Sequence, residues 1–177
     1  MVAKRLVQYR GRLTASQIAQ GMNAANANAK RLADVAQTLL ENGNHPLAAS
    51  IAALSIVEAG KAPNLRELSV ARTDDDVTRC WRDHRSHTKK NAMWLFPQLV
   101  GDGARHLGEF RSLVDKGAEH PFLLDQLKQL GFYTDCLGDA HWSVPDEVVD
   151  LDLATSLVRT AVLLANAKKV TEEEMDL

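Results

Sequence analysis

The chain has few aromatic residues, few cysteines and almost no net charge. Aromatics make up 5% of its 177 residues, two cysteines are present, and 21 Lys and Arg oppose 23 Asp and Glu, for a net charge of −2. The two cysteines, Cys80 and Cys136, are too few for a disulfide scaffold, and neither lies in a C-x-x-C pair, so reduced thiols in a cytosolic protein are predicted. Near-neutral charge excludes a protein that coats nucleic acid by bulk charge, so any such contact needs a local basic patch.

Long apolar runs are also missing. No segment approaches the roughly 18–20 apolar residues of a membrane span, so neither a transmembrane helix nor a membrane partner is predicted. The basic residues Lys4, Arg5, Arg10 and Arg12 precede no apolar stretch, which argues against a signal peptide. We therefore expect a cytoplasmic protein.

Abundant alanine and leucine predict helices that pack through small and straight-chain side chains. A first helix is expected from Thr14 or Ser16, either of which can cap it, to the Asn42-Gly43 turn. Its apolar residues recur at spacings of three and four, as on one face of a helix. They are Ile18, Met22, Ala25, Ala29, Leu32, Ala36 and Leu39.

A second helix is expected to begin at Pro46 and to be closed or kinked by Pro63. Its apolar stripe is predicted to be Leu47, Ile51 and Leu54.

A third helix is expected to begin at the cap Thr73, because three aspartates follow it and favour the positive end of the helix dipole. Pro97 and the turn at 101–103 are predicted to end this unit. Its stripe is predicted to include Val77, Trp81, His84, His87 or Thr88, Asn91, Trp94 and Leu95.

The rest of the chain predicts two shorter helices at about 104–116 and 121–130, an extended aromatic loop or hairpin over 131–145, and a last helix over 151–164. No repeat or linker is visible. The fold is therefore predicted to be a single all-α domain. It is expected to span residues 14–168, between a basic N-terminal arm (1–13) and a frayed acidic tail (169–177).

Polar residues occupy positions where the helical stripes call for apolar ones. They are Glu58 and Lys61 in the second helix, and His84, His87 and Asn91 in the third. Burying such groups costs several kcal/mol unless they are paired, so they are expected either to form an internal cluster that fixes helix register or to line a cleft. For Glu58 and Lys61 we expect a structural ion pair under the third helix, with support of the site as the alternative.

The segment 79–91 carries five cationic side chains against one acid. Such a segment is either a solvated helix face or a patch that binds phosphate. Within it, Asp83 and His87 are an i,i+4 pair, so on a helix the carboxylate can orient the imidazole. Arg82 and His87 are five residues apart, about 140° around a straight helix. Either the helix starts or bends here, or two copies of the chain complete the site.

These residue types suit RNA cleavage by the ribose 2′-hydroxyl without a metal ion. His87 can act as the acid and base, and Arg82 can hold the phosphate as negative charge develops. His84 and His87 have a spacing that a metal can use, but no third ligand with zinc-like spacing follows, so neither a metal nor another cofactor is expected.

Arg82-Asp83 to His87 resembles the R-x4-6-H signature of HEPN domains, a loose spacing that Arg79 to His84 also satisfies. Over about residues 14–165 the chain is similar to the AbiV family of abortive-infection proteins in the HEPN superfamily. The matching pieces are Asn26 to Asp34, Ile56 to Lys61, Arg85 to Asn91, Leu127 to Asp135, Trp142 and Pro145. One departure is Val57 before Glu58, where the family usually carries paired acids.

The resemblance implies an up-down HEPN-like helical bundle that acts in phage defence. It also implies a homodimeric, metal-independent endoribonuclease whose cleft is lined by Arg and His of both subunits. In that reading Arg82, His87 and Asp83 are catalytic. His84, Arg85, Lys90 and Asn91 are predicted to bind the RNA. The alternative is a non-catalytic module that binds a phage protein or RNA and blocks phage translation.

Overall fold

The computed structural model describes residues 7–86, 94–110 and 119–176, whose regular structure is helical apart from one short hairpin. The predicted all-α fold is confirmed. The helices are α1 (Ala15–Glu41), α2 (His45–Ala59), α3 (Lys61–Ser69), α4 (Asp74–Arg85), α5 (Phe96–Gly101), α6 (His120–Phe132), α7 (Pro145–Val148) and α8 (Leu151–Ala165). Strands β1 (Asp135–Leu137) and β2 (His141–Ser143) pair antiparallel.

The first helix begins where its cap was predicted. The Thr14 side chain accepts a hydrogen bond from the Gln17 amide at 3.2 Å, and the Gln17 side chain accepts one from the Thr14 amide at 3.0 Å. Both bonds satisfy amides that have no acceptor within the helix. Gly43, with φ of +74°, follows the end of α1 in the left-handed conformation that glycine adopts without strain.

The central helix is α2, which packs against α1, α6 and α8. The predicted stripe of Leu47, Ile51 and Leu54 is wrong, because Leu47 is exposed and the other two are only half-buried. The buried positions are instead mostly small residues, which let three helices approach α2 closely. They are Pro46, Ala48, Ala49, Ser50, Ala52, Ala53, Ser55, Ile56 and Val57.

These contacts form the larger of two apolar clusters, called here the alanine core. Ten of its fifteen buried residues are alanines, drawn from α1, α2 and α8, and α6 contributes Leu124. Two buried hydroxyls join its helices, since Ser55 Oγ donates to the Ala29 carbonyl at 2.7 Å and Ser50 Oγ to the Lys128 carbonyl at 3.0 Å. Gly131, predicted to lie in a loop, belongs to α6 and allows this close approach. A Cβ at position 131 would lie 2.2 Å from Ser50 Oγ.

Two prolines begin helices that they were predicted to end. Helix α2 ends at Ala59, Gly60 separates it from α3, and Pro63 lies in the first turn of α3. Pro97 likewise lies in the first turn of α5. Proline is tolerated there because the first amides of a helix have no intrahelical acceptor.

The second cluster, called here the α4 cluster, is assembled from separate stretches of chain. Its buried members are Ile18, Ala19, Met22, Ala62, Leu65, Leu68, Val77, Cys80, Trp81, Val170 and Met175. Asn23 on α1 fixes the tail, because its side chain both donates to and accepts from the backbone of Val170, at 2.8 and 2.9 Å. The tail was predicted to be frayed, and this was wrong because Val170 and Met175 supply apolar area that the cluster buries.

The remaining elements follow the predictions in outline. The expected hairpin is present as β1 and β2, and α8 begins one residue after its cap Asp150. The helix predicted over 121–130 is α6. Of the helix predicted over 104–116, the described part contains a 3-10 turn at Leu107–Phe110, and the rest lies outside the described residues.

Candidate functional site

The motif-bearing helix α4 has a strongly fixed start. Thr73 caps it as predicted, with its amide and hydroxyl both donating to Asp76 Oδ2 at 3.0 and 2.8 Å. These hydrogen bonds, together with Arg79, lower the pKa of Asp76 to about 2. The charged carboxylate is therefore part of the folded state at neutral pH.

The end of α4 lies earlier than predicted. The helix stops at Arg85, and Ser86 is extended, with φ of −74° and ψ of 124°. The prediction of one continuous helix through His87 and Asn91 is therefore wrong at Ser86. The i,i+4 relation of Asp83 with His87 and the angle of about 140° between Arg82 and His87 both assumed that helix. His87, Lys90 and Asn91 themselves lie outside the described residues.

Arg82 is the accessible arginine of the last turn. Its side chain is 73% exposed, and its Nε lies 3.6 Å from Asp83 Oδ1, whose side chain is 22% exposed. This distance gives an electrostatic contact beyond normal hydrogen-bond length. The guanidinium therefore keeps donors with which to grip a phosphate.

The competing Arg-x4-His pair, Arg79 and His84, is arranged differently. Arg79 Nη2 lies 2.7 Å from Asp76 Oδ1, and this hydrogen bond raises the pKa of the guanidinium. His84 is half-buried with its ring edge-on to Trp81, the centroids 5.6 Å apart. Arg79 is thus engaged within α4, whereas Arg82, one turn later, faces solvent.

Arg85 connects α4 to the N-terminal arm. Its Nη2 donates to the Tyr9 carbonyl, and its guanidinium lies over the Trp81 ring, 5.2 Å from the centroid. A cation in this position is attracted to the ring face. The structure therefore places this predicted RNA-binding residue in a contact between two parts of the chain.

The arm itself lies along α4, a feature that sequence reasoning missed. Trp81 Nε1 donates to the Gly11 carbonyl at 2.8 Å. Arg12 donates to the carbonyls of Ala71 and Arg72, each at 3.0 Å, and to Asp74 Oδ1 at 3.2 Å. These partners are about 60 to 75 positions apart, so no local pattern signals the contact.

Glu58 and Lys61 form the ion pair that was predicted for them, between the end of α2 and the start of α3. Both side chains are partly buried. The connection between α3 and α4 is only four residues long, and the two helices pack against each other.

The other candidates carry less chemistry. Cys80 is buried, and its burial raises the pKa of the thiol, so it is protonated and acts as a core residue. Among residues 7–86, 94–110 and 119–176 no group of three metal-ligating side chains is found. In the same residues no helix is long and apolar enough to cross a bilayer.

Comparison with known proteins gives one match. The family model of the HEPN protein AbiV matches residues 17–166, which include all of α2 to α8 and most of α1. No curated protein and no solved structure matches the chain. The family match associates the chain with abortive infection, a form of phage defence. Because it covers most of the sequence, the chain belongs to the AbiV family of HEPN proteins.

Proposed function

We propose that this AbiV-family chain defends against phage as a metal-independent endoribonuclease, with Arg82 and His87 as its catalytic pair. The observation that carries the proposal is the contrast between two arginines. Arg79 is bound to Asp76 at 2.7 Å, whereas Arg82 is 73% exposed at the end of α4, in the Arg-x4-His spacing with His87. A guanidinium that can contact phosphate, with a histidine five residues later in sequence, supplies residue types that suit phosphodiester cleavage.

In the proposed reaction His87 removes the proton of the ribose 2′-hydroxyl, and the 2′-oxygen attacks phosphorus. The bond from phosphorus to the 5′-oxygen breaks, His87 as the acid donates a proton to that oxygen, and a 2′,3′-cyclic phosphate remains. Arg82 donates to the non-bridging oxygens, where negative charge builds. Asp83, 3.6 Å from Arg82 Nε, helps to hold the guanidinium in place.

A homodimer is part of the proposal. The homodimer is supported by the family relationship. The angle of about 140° between Arg82 and His87 does not support it, because that angle requires a helix that continues past Arg85, where α4 ends. Light scattering at micromolar concentration is expected to give the mass of two 19.5 kDa chains. A monomer that cleaves RNA would refute the shared cleft.

The decisive test is cleavage of total RNA by the purified protein in the presence of EDTA. Arg82→Ala and His87→Ala are expected to reduce the rate by roughly a hundredfold or more, as loss of acid-base catalysis does. Arg79→Ala is the matched control, because it removes a cation one turn away that is already paired with Asp76. Cleavage that EDTA abolishes, or that both Arg82→Ala and His87→Ala retain, would contradict the proposal.

A second candidate, a non-catalytic module that binds a phage protein, is favoured by the exposed aromatic side chains of the hairpin region, Tyr133 and Trp142. Exposed aromatics are common in protein interfaces. A phage infection assay separates the two functions. The nuclease predicts that Arg82→Ala loses protection and Trp142→Ala keeps it, and the binding module predicts the reverse.

A further inference from the structure

The N-terminal arm brings Tyr9 to the last turn of α4. The carbonyl of Tyr9 accepts a hydrogen bond from Arg85, and Arg82 is the i−3 neighbour of Arg85 on α4. Residues at this spacing have Cβ atoms about 5–6 Å apart on the same face of a helix. The backbone of Tyr9 therefore lies at the turn of α4 that carries Arg82, although the two residues are 73 positions apart in sequence.

The ring of Tyr9 is held in one orientation while much of it stays accessible. Its hydroxyl donates to the Arg12 carbonyl at 2.8 Å, and the ring packs at 83° to Trp81 with centroids 6.1 Å apart. The turn at Gly11 makes this possible, because a Cβ there would lie 2.6 Å from the Tyr9 hydroxyl oxygen. Tyr9 nevertheless remains 57% exposed.

The charges around this ring favour a polyanion. Arg10 is exposed beside it in the arm, and Arg82 is exposed on α4. The aspartates Asp74, Asp75 and Asp76 lie in the first turn of α4, at the other end of the helix. An accessible aromatic ring accompanied by exposed cations is an arrangement by which proteins bind single-stranded nucleic acid, with a base on the ring and phosphates on the cations.

We propose that Tyr9 is the base-stacking residue of a single-stranded RNA site that runs from the arm to Arg82, with Arg10 contacting the backbone. The identity of the ligand rests on the proposed function. The site gives the arm a role in substrate binding, and it places one unpaired nucleotide next to the phosphate that Arg82 holds.

The test uses a short single-stranded RNA of about twelve nucleotides with 2′-O-methyl riboses, which the proposed reaction leaves intact. One base is 2-aminopurine, whose fluorescence is quenched on stacking, and a terminal dye reports affinity by anisotropy. Tyr9→Leu is expected to weaken binding about tenfold and to abolish the quenching, since a stacked base contributes about 1–3 kcal/mol. Gly11→Ala, which displaces the ring without removing it, is expected to act in the same direction.

Two controls separate stacking from a structural role. Tyr9→Phe keeps the ring and loses only the hydrogen bond to Arg12, so it is expected to retain the quenching and most of the affinity. Phe122→Leu removes a similarly exposed aromatic ring, on α6, and is expected to change nothing. If Tyr9→Phe lost as much affinity as Tyr9→Leu, the ring would be structural and the stacking proposal would be refuted.

Cleavage by the proposed nuclease is measured in a separate experiment, on unmodified RNA. Cleavage by a wild-type protein whose Tyr9→Leu variant binds RNA equally well would overturn the stacking site and leave the nuclease standing. Binding that depends on Tyr9, without cleavage of unmodified RNA, would support the site and overturn the nuclease. A wild-type protein that does not bind the RNA overturns the stacking site, and the cleavage assay then decides the nuclease alone.

Discussion

The two apolar clusters are built in different ways. In the alanine core, ten of fifteen buried residues are alanines, and they lie on long helices that pack along one another. In the α4 cluster only two of eleven buried residues are alanines, and the larger side chains come from α1, α3, α4 and the C-terminal tail. The N-terminal arm adds hydrogen bonds to the outer side of this cluster.

The difference shows that the two regions hold their helices in place by different means. Small residues in the alanine core bring backbones close together, so that region is a scaffold with little room for change. The α4 cluster instead fixes one short helix by means of segments from both ends of the chain. The position of Arg82 therefore depends on contacts with segments other than α3 and α4, the pair of helices in which it lies.

The largest expected effect comes from opening the alanine core. Leu157 on α8 is fully buried, and Leu157→Ala is expected to lower the free energy of unfolding by about 2–5 kcal/mol through lost burial and a cavity. Urea denaturation measures the change. Leu163→Ala on the same helix is the control, since Leu163 is 59% exposed and its loss is expected to cost less than about 0.5 kcal/mol. Equal effects of the two substitutions would contradict the assignment of this core.

A substitution in the α4 cluster is expected to cause a smaller loss of stability, together with faster hydrogen exchange in the N-terminal arm. Trp81→Phe removes the indole N–H that donates to Gly11 and is expected to cost about 1–3 kcal/mol. Hydrogen exchange of residues 9–13 should rise, while exchange in α2 stays unchanged. Trp142→Phe, in the exposed hairpin, is the control. An arm whose exchange is unaffected by Trp81→Phe would show that the arm is held mainly by Arg12.

The smallest effect concerns the start of α4 and depends on pH. The folded pKa of Asp76 is about 2, below the ordinary 3.8, so the charged carboxylate stabilises the fold above the ordinary value. This contribution is lost as the pH falls through about 2. The difference in Tm between the wild type and Asp76→Asn is expected to be constant above pH 4 and to shrink between pH 4 and 2. A difference in Tm that stayed constant down to pH 2 would contradict this contribution of Asp76.

Features that depend on neighbouring residues could be predicted from the sequence. The caps at Thr14 and Thr73 were found because a cap and its partner lie three residues apart. The ion pair between Glu58 and Lys61 was found for the same reason.

Features that depend on packing could not be predicted in this way. Leu47 is more apolar than Ala48, yet Ala48 is the buried one, because α2 lies between three helices that need small side chains. The end of α4 at Arg85 and the burial of Val170 also depend on distant partners. The site residues on α4 were identified by residue type and resemblance, whereas the arm was missed because its partners lie about 60 to 75 positions away.

The α4 cluster also has a consequence for the order of folding. Leu13, near one end of the chain, and Met175, near the other, both pack in the α4 cluster. The cluster therefore joins residues that are more than 150 positions apart in sequence. Contacts with such large sequence separation form late, because the entropy of the loop is lost before the contact compensates for it. The hairpin of α1 and α2 can form early from local contacts. The surface around Arg82 is then completed last, and a chain that is still being synthesised lacks it until the tail has emerged.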